Sequence, residues 1–170
     1  MLSKILSKEQ CADCGFCCVF RRTSIWETPL FPESVIDKLK IEYKKSKFVS
    51  VGDLYTIDLS KEYKTEADDE EAPCFFLNNK KGCMLNDDEK PLDCKIWPLR
   101  IMRDGKHLVI ALTPTCKEIN ELPIETIKEF VQSGIGEYIR DKAMEMPDII
   151  KEYRNCLLYT SPSPRDSTSS

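Results

Sequence analysis

Residues 11–18 read Cys-Ala-Asp-Cys-Gly-Phe-Cys-Cys and place four thiols within eight positions. Core packing does not require cysteine at this density, whereas thiolates are preferred ligands of zinc and of iron–sulfur centres. Two cysteines separated by two residues can direct both sulfurs at one ion. The glycine that follows Cys14 can take the positive φ that lets backbone N–H groups face a sulfur. We therefore expect a fold organised around a metal centre.

Four single cysteines follow this segment and complete a set of eight candidate metal ligands. The set comprises Cys11, Cys14, Cys17, Cys18, Cys74, Cys83, Cys94 and Cys116. Eight thiolates suit two tetrahedral zinc sites, or one or two four-iron clusters, and the sequence does not choose between zinc and iron. Adjacent side chains in extended backbone point in opposite directions. We therefore expect that one of Cys17 and Cys18 binds a second metal or binds none.

The composition favours a protein that binds neither nucleic acid nor membrane. The 170 residues include 25 basic and 29 acidic side chains, a net charge of -4, which gives no general basic face for phosphate. No segment approaches the roughly 20 apolar residues of a membrane span, and residues 1–10 lack the apolar run of a secretory signal. We expect a cytoplasmic protein, where thiols stay reduced. A disulfide framework is the alternative, and the missing signal disfavours it.

The pattern of apolar residues predicts an α+β fold, a small single domain over 1–155 with short strands, a hairpin and three helices. A charged, mainly acidic run over 61–71 reads as a solvated loop. The expected elements are a helix over 32–45, one or two strands over 48–59 broken near Gly52, a buried strand over 72–77, a hairpin over 99–112 that turns at Asp104 and Gly105, and helices that start at Pro123 and near Pro147.

Residues 156–170 differ in kind from the rest of the chain. Serine, proline, threonine, arginine and aspartate dominate this segment, and no apolar periodicity is present. The stretch Cys156–Asp166 resembles a translated reading frame of a transposase adapter used in sequencing libraries. We expect a disordered tail that packs against nothing, and we expect Cys156 to lie outside the metal zone.

Several motifs together resemble one known family. They are the opening C-x-x-C-x-x-C-C, the segment Pro73–Leu77, Cys83, and a third motif over 90–98 with Lys90, Lys95 and Trp97. The chain is similar over roughly 10–116 to the YkgJ-type cysteine-cluster family of zinc- or iron-chelating domains. The resemblance implies that all eight cysteines of the set are metal ligands. It supplies no settled reaction.

The expected function is that of a cysteine-cluster protein that chelates zinc, or iron as an ion or an iron–sulfur cluster, and acts as a metal-binding or electron-handling module. A metal chaperone or sensor, and a structural zinc interaction domain, are the alternatives. Some members of the similar family are described as flagellin lysine N-methylases, but no glycine-rich cofactor loop occurs here. We find no catalytic constellation beyond the metal site, and the single histidine, His107, is expected at the surface. No protein partner is indicated.

Overall fold

A computed structural model describes residues 13–113, 116–154 and 158–162 of the chain. Helices and short, mainly antiparallel strands are mixed along the chain, so the predicted α+β class is confirmed. The described residues group into two compact units, and the boundary lies between Lys95 and Ile96.

The first unit is built from short strands and one helix of ten residues. Its described strands are β1 (Val19–Arg21), β2 (Leu30–Pro32), β3 (Phe48–Val51), β4 (Leu54–Ile57), β5 (Glu71–Pro73), β6 (Leu77–Asn78) and β7 (Gly82–Cys83). They form three antiparallel sheets, of which the largest has the order β2-β4-β3, while β1 pairs with β5 and β6 pairs with β7. The helix α1 (Glu33–Glu42) follows β2, and the short helix α2 (Leu92–Ile96) crosses the unit boundary.

Local sequence explains the boundaries of α1 and of the β3–β4 hairpin. Pro32 precedes α1, and Ile36 and Leu39 bury one face of the helix. The N–H of Tyr43 donates to the carbonyl of Leu39, so the helix ends three residues before the predicted Lys45. The predicted break near Gly52 is a two-residue turn: Gly52 has φ 59°, which suits the first central position of a type II′ turn.

An aromatic core fills the first unit beside the segment that carries Cys74 and Cys83. The ring of Phe76 lies 5.9 Å from that of Phe31 and 4.9 Å from that of Tyr43, both in edge-to-face geometry. The two cysteines are partly buried against this apolar cluster. The core therefore holds two candidate ligands on a packed support.

The second unit is built around a four-stranded sheet with the order β10-β8-β9-β11. Its strands are β8 (Leu99–Asp104), β9 (His107–Leu112), β10 (Lys151–Glu152) and β11 (Leu158–Pro162), and its helices are α3 (Lys117–Asn120), α4 (Ile124–Phe130) and α5 (Gly136–Glu145). The predicted hairpin is present, but its turn residues are Gly105 and Lys106, because Asp104 still pairs with His107. A π-helical turn over Val131–Ile135 joins α4 to α5, and Gly134 within it has φ 121°.

Two predicted elements are shorter than expected. The strand predicted over 72–77 is interrupted: the N–H of Leu77 donates to the carbonyl of Cys74, and this turn separates β5 from β6. The helix predicted near Pro147 is a single 3-10 turn over Pro147–Ile149, after which the chain extends and β10 joins β8 in parallel. At Pro147 the pairing with β8 competes successfully with local propensity, and at Cys74 the N–H donates to the carbonyl of Cys18 in another segment.

The backbone of Leu158–Pro162 differs from the expectation of an unpaired tail. It runs antiparallel to β9, with an irregularity between Tyr159 and Ser161. A strand edge presents unpaired N–H and C=O groups, which a neighbouring segment can satisfy with little dependence on its side chains. The expectations for Cys156 and for 163–170 lie outside the described residues.

None of the helices in the described part of the chain has the length and apolar character that crossing a membrane requires.

Candidate metal centre

A tight turn brings the sulfurs of Cys17 and Cys18 to the same side of the chain. Residues Phe16–Cys18 form a 3-10 turn in which the N–H of Cys18 donates to the carbonyl of Gly15. Gly15 has φ 56°, and a Cβ built on it would meet no atom within 4 Å, so glycine is needed there for its backbone angle and not for space. The two Sγ atoms lie 3.9 Å apart. The expectation that these side chains diverge is wrong, because the backbone is not extended.

Backbone pairing places Cys74 next to Cys18. The N–H of Cys74 donates to the carbonyl of Cys18 at 2.7 Å, directly beyond the register in which Val19 of β1 faces Pro73 of β5. This contact joins two segments that are more than fifty residues apart in the sequence. The pairing of β1 with β5 therefore assembles the first part of the candidate centre.

The β6–β7 hairpin returns Cys83 to the same region. Cys83 pairs with Leu77, and the N–H of Met84 donates to the carbonyl of Phe76 at 2.9 Å. Gly82, with φ 75°, permits the turn. Cys83 is thereby held close to the segment that begins at Cys74.

Helix α2 supplies Cys94 from a third part of the first unit. The N–H of Cys94 donates to the carbonyl of Pro91 at 3.1 Å, which forms the first turn of the helix. The neighbouring Asp93 is buried, and its carboxylate accepts a hydrogen bond from the N–H of Leu30 at 2.9 Å. This bond ties α2 to β2 and fixes where Cys94 lies.

These residues form what we term the five-thiol cluster, which comprises Cys17, Cys18, Cys74, Cys83 and Cys94. Burial raises the pKa of Cys74 to about 12, and the nearby Cys83 and Cys17 add to this effect. The hydrogen bond with Cys18, then burial, raise the pKa of Cys17. Burial is also the first cause of the raised pKa of Cys83. Because the pKa values of Cys17, Cys74 and Cys83 are all raised, a bound cation would favour thiolates that the metal-free chain disfavours.

Cys94 is an exposed residue, and the pKa of its thiol is strongly raised. Its pKa is raised well above the usual value, first by burial and then by the charges of Cys74, Asp93 and Cys83. Its side chain is nevertheless exposed to solvent. A sulfur that lines a recess has both properties, since protein atoms surround it while one side stays open. The exposure is that of the residue as a whole, and the raised pKa reports the buried surroundings of the sulfur.

Charged side chains border the cluster. Lys90 lowers the pKa of both Cys17 and Cys83, although other causes outweigh it. Glu89 is only 2% exposed; it forms an ion pair with Lys38 at 2.6 Å and accepts a hydrogen bond from the N–H of Asn86 at 2.9 Å. Sequence reasoning did not single out Glu89 or Asp93. The spacing of Asn86 and Glu89, typical of a capping box, is the signal that could have identified Glu89.

The remaining candidate ligands have different positions. Cys14 is exposed and lies just before Gly15. Cys116 is half-buried in the second unit, directly before α3. Cys11 lies outside the described residues. The structure thus brings five of the eight predicted ligands together, all of them in the first unit.

The sulfurs of the cluster are gathered but not arranged for ligation. Among residues 13–113, 116–154 and 158–162, no three Cys, His, Asp or Glu side chains form a group with the geometry of a metal site. The donor set nevertheless fits a thiophilic ion, because neutral thiols lose their protons when such an ion binds. Binding would therefore require the side chains to rearrange so that thiolate–metal bonds form.

His107 is exposed at the start of β9, where the sequence predicted a surface residue.

Comparison with protein-family models, with curated proteins and with solved structures finds no significant match to this chain.

Proposed function

We propose that this chain is a metal-binding protein that chelates zinc or iron through cysteine thiolates. The observation that carries the proposal is the five-thiol cluster. Its cysteines come from three segments that are distant in the sequence. One tetrahedral zinc site, or one four-iron cluster, takes four thiolates.

The other predicted ligands extend the proposal to the full set. Cys11 and Cys14 belong to the same C-x-x-C-x-x-C-C segment as Cys17 and Cys18, and Cys116 is the eighth member of the set. Membership of the YkgJ-type cysteine-cluster family remains part of this proposal, supported by the motifs and not by any matched relative. A reducing compartment such as the cytoplasm would keep these thiols available.

An accessible centre is the form of the proposal that the structure favours. Cys14 and Cys94 are exposed, whereas the ligands of structural zinc sites are closed off from solvent. Electron handling by an iron–sulfur cluster is our first candidate role, since a centre near the surface can exchange electrons with a partner. Ion exchange by a metal chaperone or sensor is the second, and it draws on the same exposure.

The direct test is a competition titration of the reduced, metal-free protein. Zinc(II) or iron(II) is added in the presence of a chromophoric chelator, and the amount of metal withdrawn from the chelator is measured. We expect at least one tight site per chain. Cobalt(II) in place of zinc is expected to show the sulfur-to-metal charge-transfer absorption of a thiolate site. Failure of the protein to compete for either metal would contradict the proposal.

Two variants locate the site within the chain. Replacing Cys83 by Ser removes a member of the five-thiol cluster and is expected to abolish or weaken the tight site. Replacing Cys156 by Ser changes a cysteine that we place outside the ligand set, so that this variant serves as the matched control. Equal metal binding by both variants would show that the cluster is not the site.

A further inference from the structure

The turn over Phe16–Cys18 holds two neighbouring sulfurs in contact. The Sγ atoms of Cys17 and Cys18 lie 3.9 Å apart, and both residues are half-buried. Backbone hydrogen bonds fix the turn on both sides. The N–H of Cys18 donates to the carbonyl of Gly15 at 3.2 Å, and the carbonyl of Cys18 accepts the N–H of Cys74 at 2.7 Å. The backbone that carries the two thiols is therefore ordered in the metal-free chain.

The separation of the two sulfurs matches the edge of a tetrahedral thiolate site. Zinc binds thiolates at about 2.3 Å in a tetrahedron, so that two sulfurs on one ion lie about 3.8 Å apart. The distance of 3.9 Å between Cys17 and Cys18 differs little from this value. No three candidate ligands among the described residues have the geometry of a metal site, but two sulfurs at this spacing already form one edge of such a site.

A disulfide between the same two cysteines is disfavoured by the geometry of the chain. Disulfides usually join residues whose Cα atoms are roughly 4.4–6.8 Å apart. Consecutive Cα atoms across a trans peptide are only about 3.8 Å apart, so a bond between Cys17 and Cys18 would be strained. The two sulfurs are thus spaced for an atom inserted between them and not for a bond to each other.

We propose that Cys17 and Cys18 chelate one and the same ion, a thiophilic divalent cation such as zinc in tetrahedral thiolate coordination. This inference rests on the proposed function and reverses the expectation that adjacent cysteines serve separate centres. Each thiol gives up its proton to solvent as its bond to the ion forms. In a four-iron cluster each terminal thiolate binds its own iron, so a pair that shares one ion does not belong to such a cluster.

Cadmium(II), a soft ion with the charge of zinc, identifies the ligands directly. The reduced, metal-free full chain is loaded with an NMR-active cadmium isotope, and a proton–cadmium correlation spectrum is recorded. We expect a single cadmium resonance to correlate with the β-protons of both Cys17 and Cys18. Correlation of the two cysteines with different cadmium resonances, or of only one of them with any cadmium, would overturn the proposal.

Zinc stoichiometry in cysteine variants gives an independent measurement. Cys17→Ser and Cys18→Ser are each expected to weaken the same equivalent of zinc by at least about tenfold, the scale on which even the outer hydrogen-bond partners of ligands act. The double variant is expected to lose that equivalent and no other. Cys156→Ser is the matched control, and circular dichroism verifies that each variant is folded. Loss of a second equivalent in the double variant, or full affinity in either single variant, would contradict a shared ion.

The outcomes distinguish the shared ion from metal binding as such. A chain that takes up neither zinc nor cadmium would contradict the proposed function and the shared ion together. A chain that binds metal tightly but places Cys17 and Cys18 on separate ions would leave the proposed function standing and refute the shared ion alone. The same holds for a chain that assembles a four-iron cluster with labile sulfide, if both single variants lose that cluster.

Discussion

The N–H of Cys74 donates to the carbonyl of Cys18 at 2.7 Å, one position beyond the end of the β1–β5 pairing. This hydrogen bond joins the N-terminal cysteine segment to the cysteines that follow the acidic loop. The loop that it closes is ordered in turn by Glu70, which accepts hydrogen bonds from the N–H groups of Lys64 and Thr65 and pairs with Arg22 at 3.2 Å. The charged segment over 61–71 thus helps to hold two parts of the thiol cluster together.

Removal of Cys74 is expected to cost both metal and stability. Cys74→Ser leaves a poor ligand in a mainly apolar setting, and the stabilisation that metal binding provides is lost. We expect metal content to fall and the melting temperature of the metal-loaded form to drop by on the order of 10 °C. Metal analysis and calorimetry measure the two effects. Cys156→Ser is the control, and a parallel loss in that variant would contradict our ligand assignment.

Gly15 is expected to be required for its backbone angle. Gly15→Ala meets no steric obstacle but must hold φ 56°, which costs an alanine about 1–2 kcal/mol. We expect a lower free energy of unfolding and weaker metal binding, because the turn that joins the sulfurs of Cys17 and Cys18 is strained. Asparagine tolerates this conformation better, so Gly15→Asn should lose less on both measures. A larger loss for asparagine than for alanine would argue against the backbone explanation.

The metal-free protein is expected to lose stability in alkaline solution. The pKa of Cys74 is raised by burial from an ordinary value of 9.0 to about 12, and those of Cys17, Cys83 and Cys94 are raised as well. The unfolded chain therefore releases thiol protons before the folded chain does. Stability is fully present below about pH 9 and declines as the pH rises towards 12.

Denaturant unfolding of the reduced, metal-free chain at several pH values measures this decline. Cys74→Ala removes one contributing thiol and should flatten the pH dependence above pH 9 relative to the parent. An unchanged slope in this variant would show that Cys74 does not titrate as its burial implies. The metal-loaded form should behave differently, because bound thiolates hold no protons and metal affinity falls as the solution is acidified.

The aromatic core is expected to support the cluster mechanically. Phe76 is 1% exposed, and Phe76→Ala should lower the free energy of unfolding by about 3–5 kcal/mol. The carbonyl of Phe76 also accepts the N–H of Met84, so a looser core displaces the neighbouring Cys83 and weakens metal binding. Ile41→Ala changes a side chain that is 73% exposed and is the control. Full metal affinity in a destabilised Phe76→Ala variant would show that metal binding does not depend on the packing of the core.

The parts of the fold that local sequence encodes were predicted well. The helix α1 follows from Pro32 and the buried pair Ile36 and Leu39, and the β3–β4 hairpin follows from alternation and Gly52. The interruption at Cys74 and the short turn after Pro147 were not predicted, because both depend on hydrogen bonds to distant segments. Periodicity carries no information about such bonds.

The sequence likewise singled out some residues of the candidate site and missed others. All five members of the cluster belong to the cysteines that the sequence predicted as metal ligands, and their role as ligands stays a prediction. The surrounding charges were harder to find. Glu89 and Asp93 owe their burial to contacts with Lys38 and with the N–H of Leu30, and only the folded chain brings these groups together.

The most direct test of the central claim is metal and acid-labile sulfide analysis of the protein purified without oxygen. We predict at least one equivalent of tightly held metal per chain, either iron with labile sulfide or zinc without it. We also predict that Cys17→Ser, purified in parallel, loses metal while Cys156→Ser keeps it. A well-folded protein that carries neither metal, and that takes up neither zinc(II) nor iron(II) with sulfide after reduction, would contradict the account.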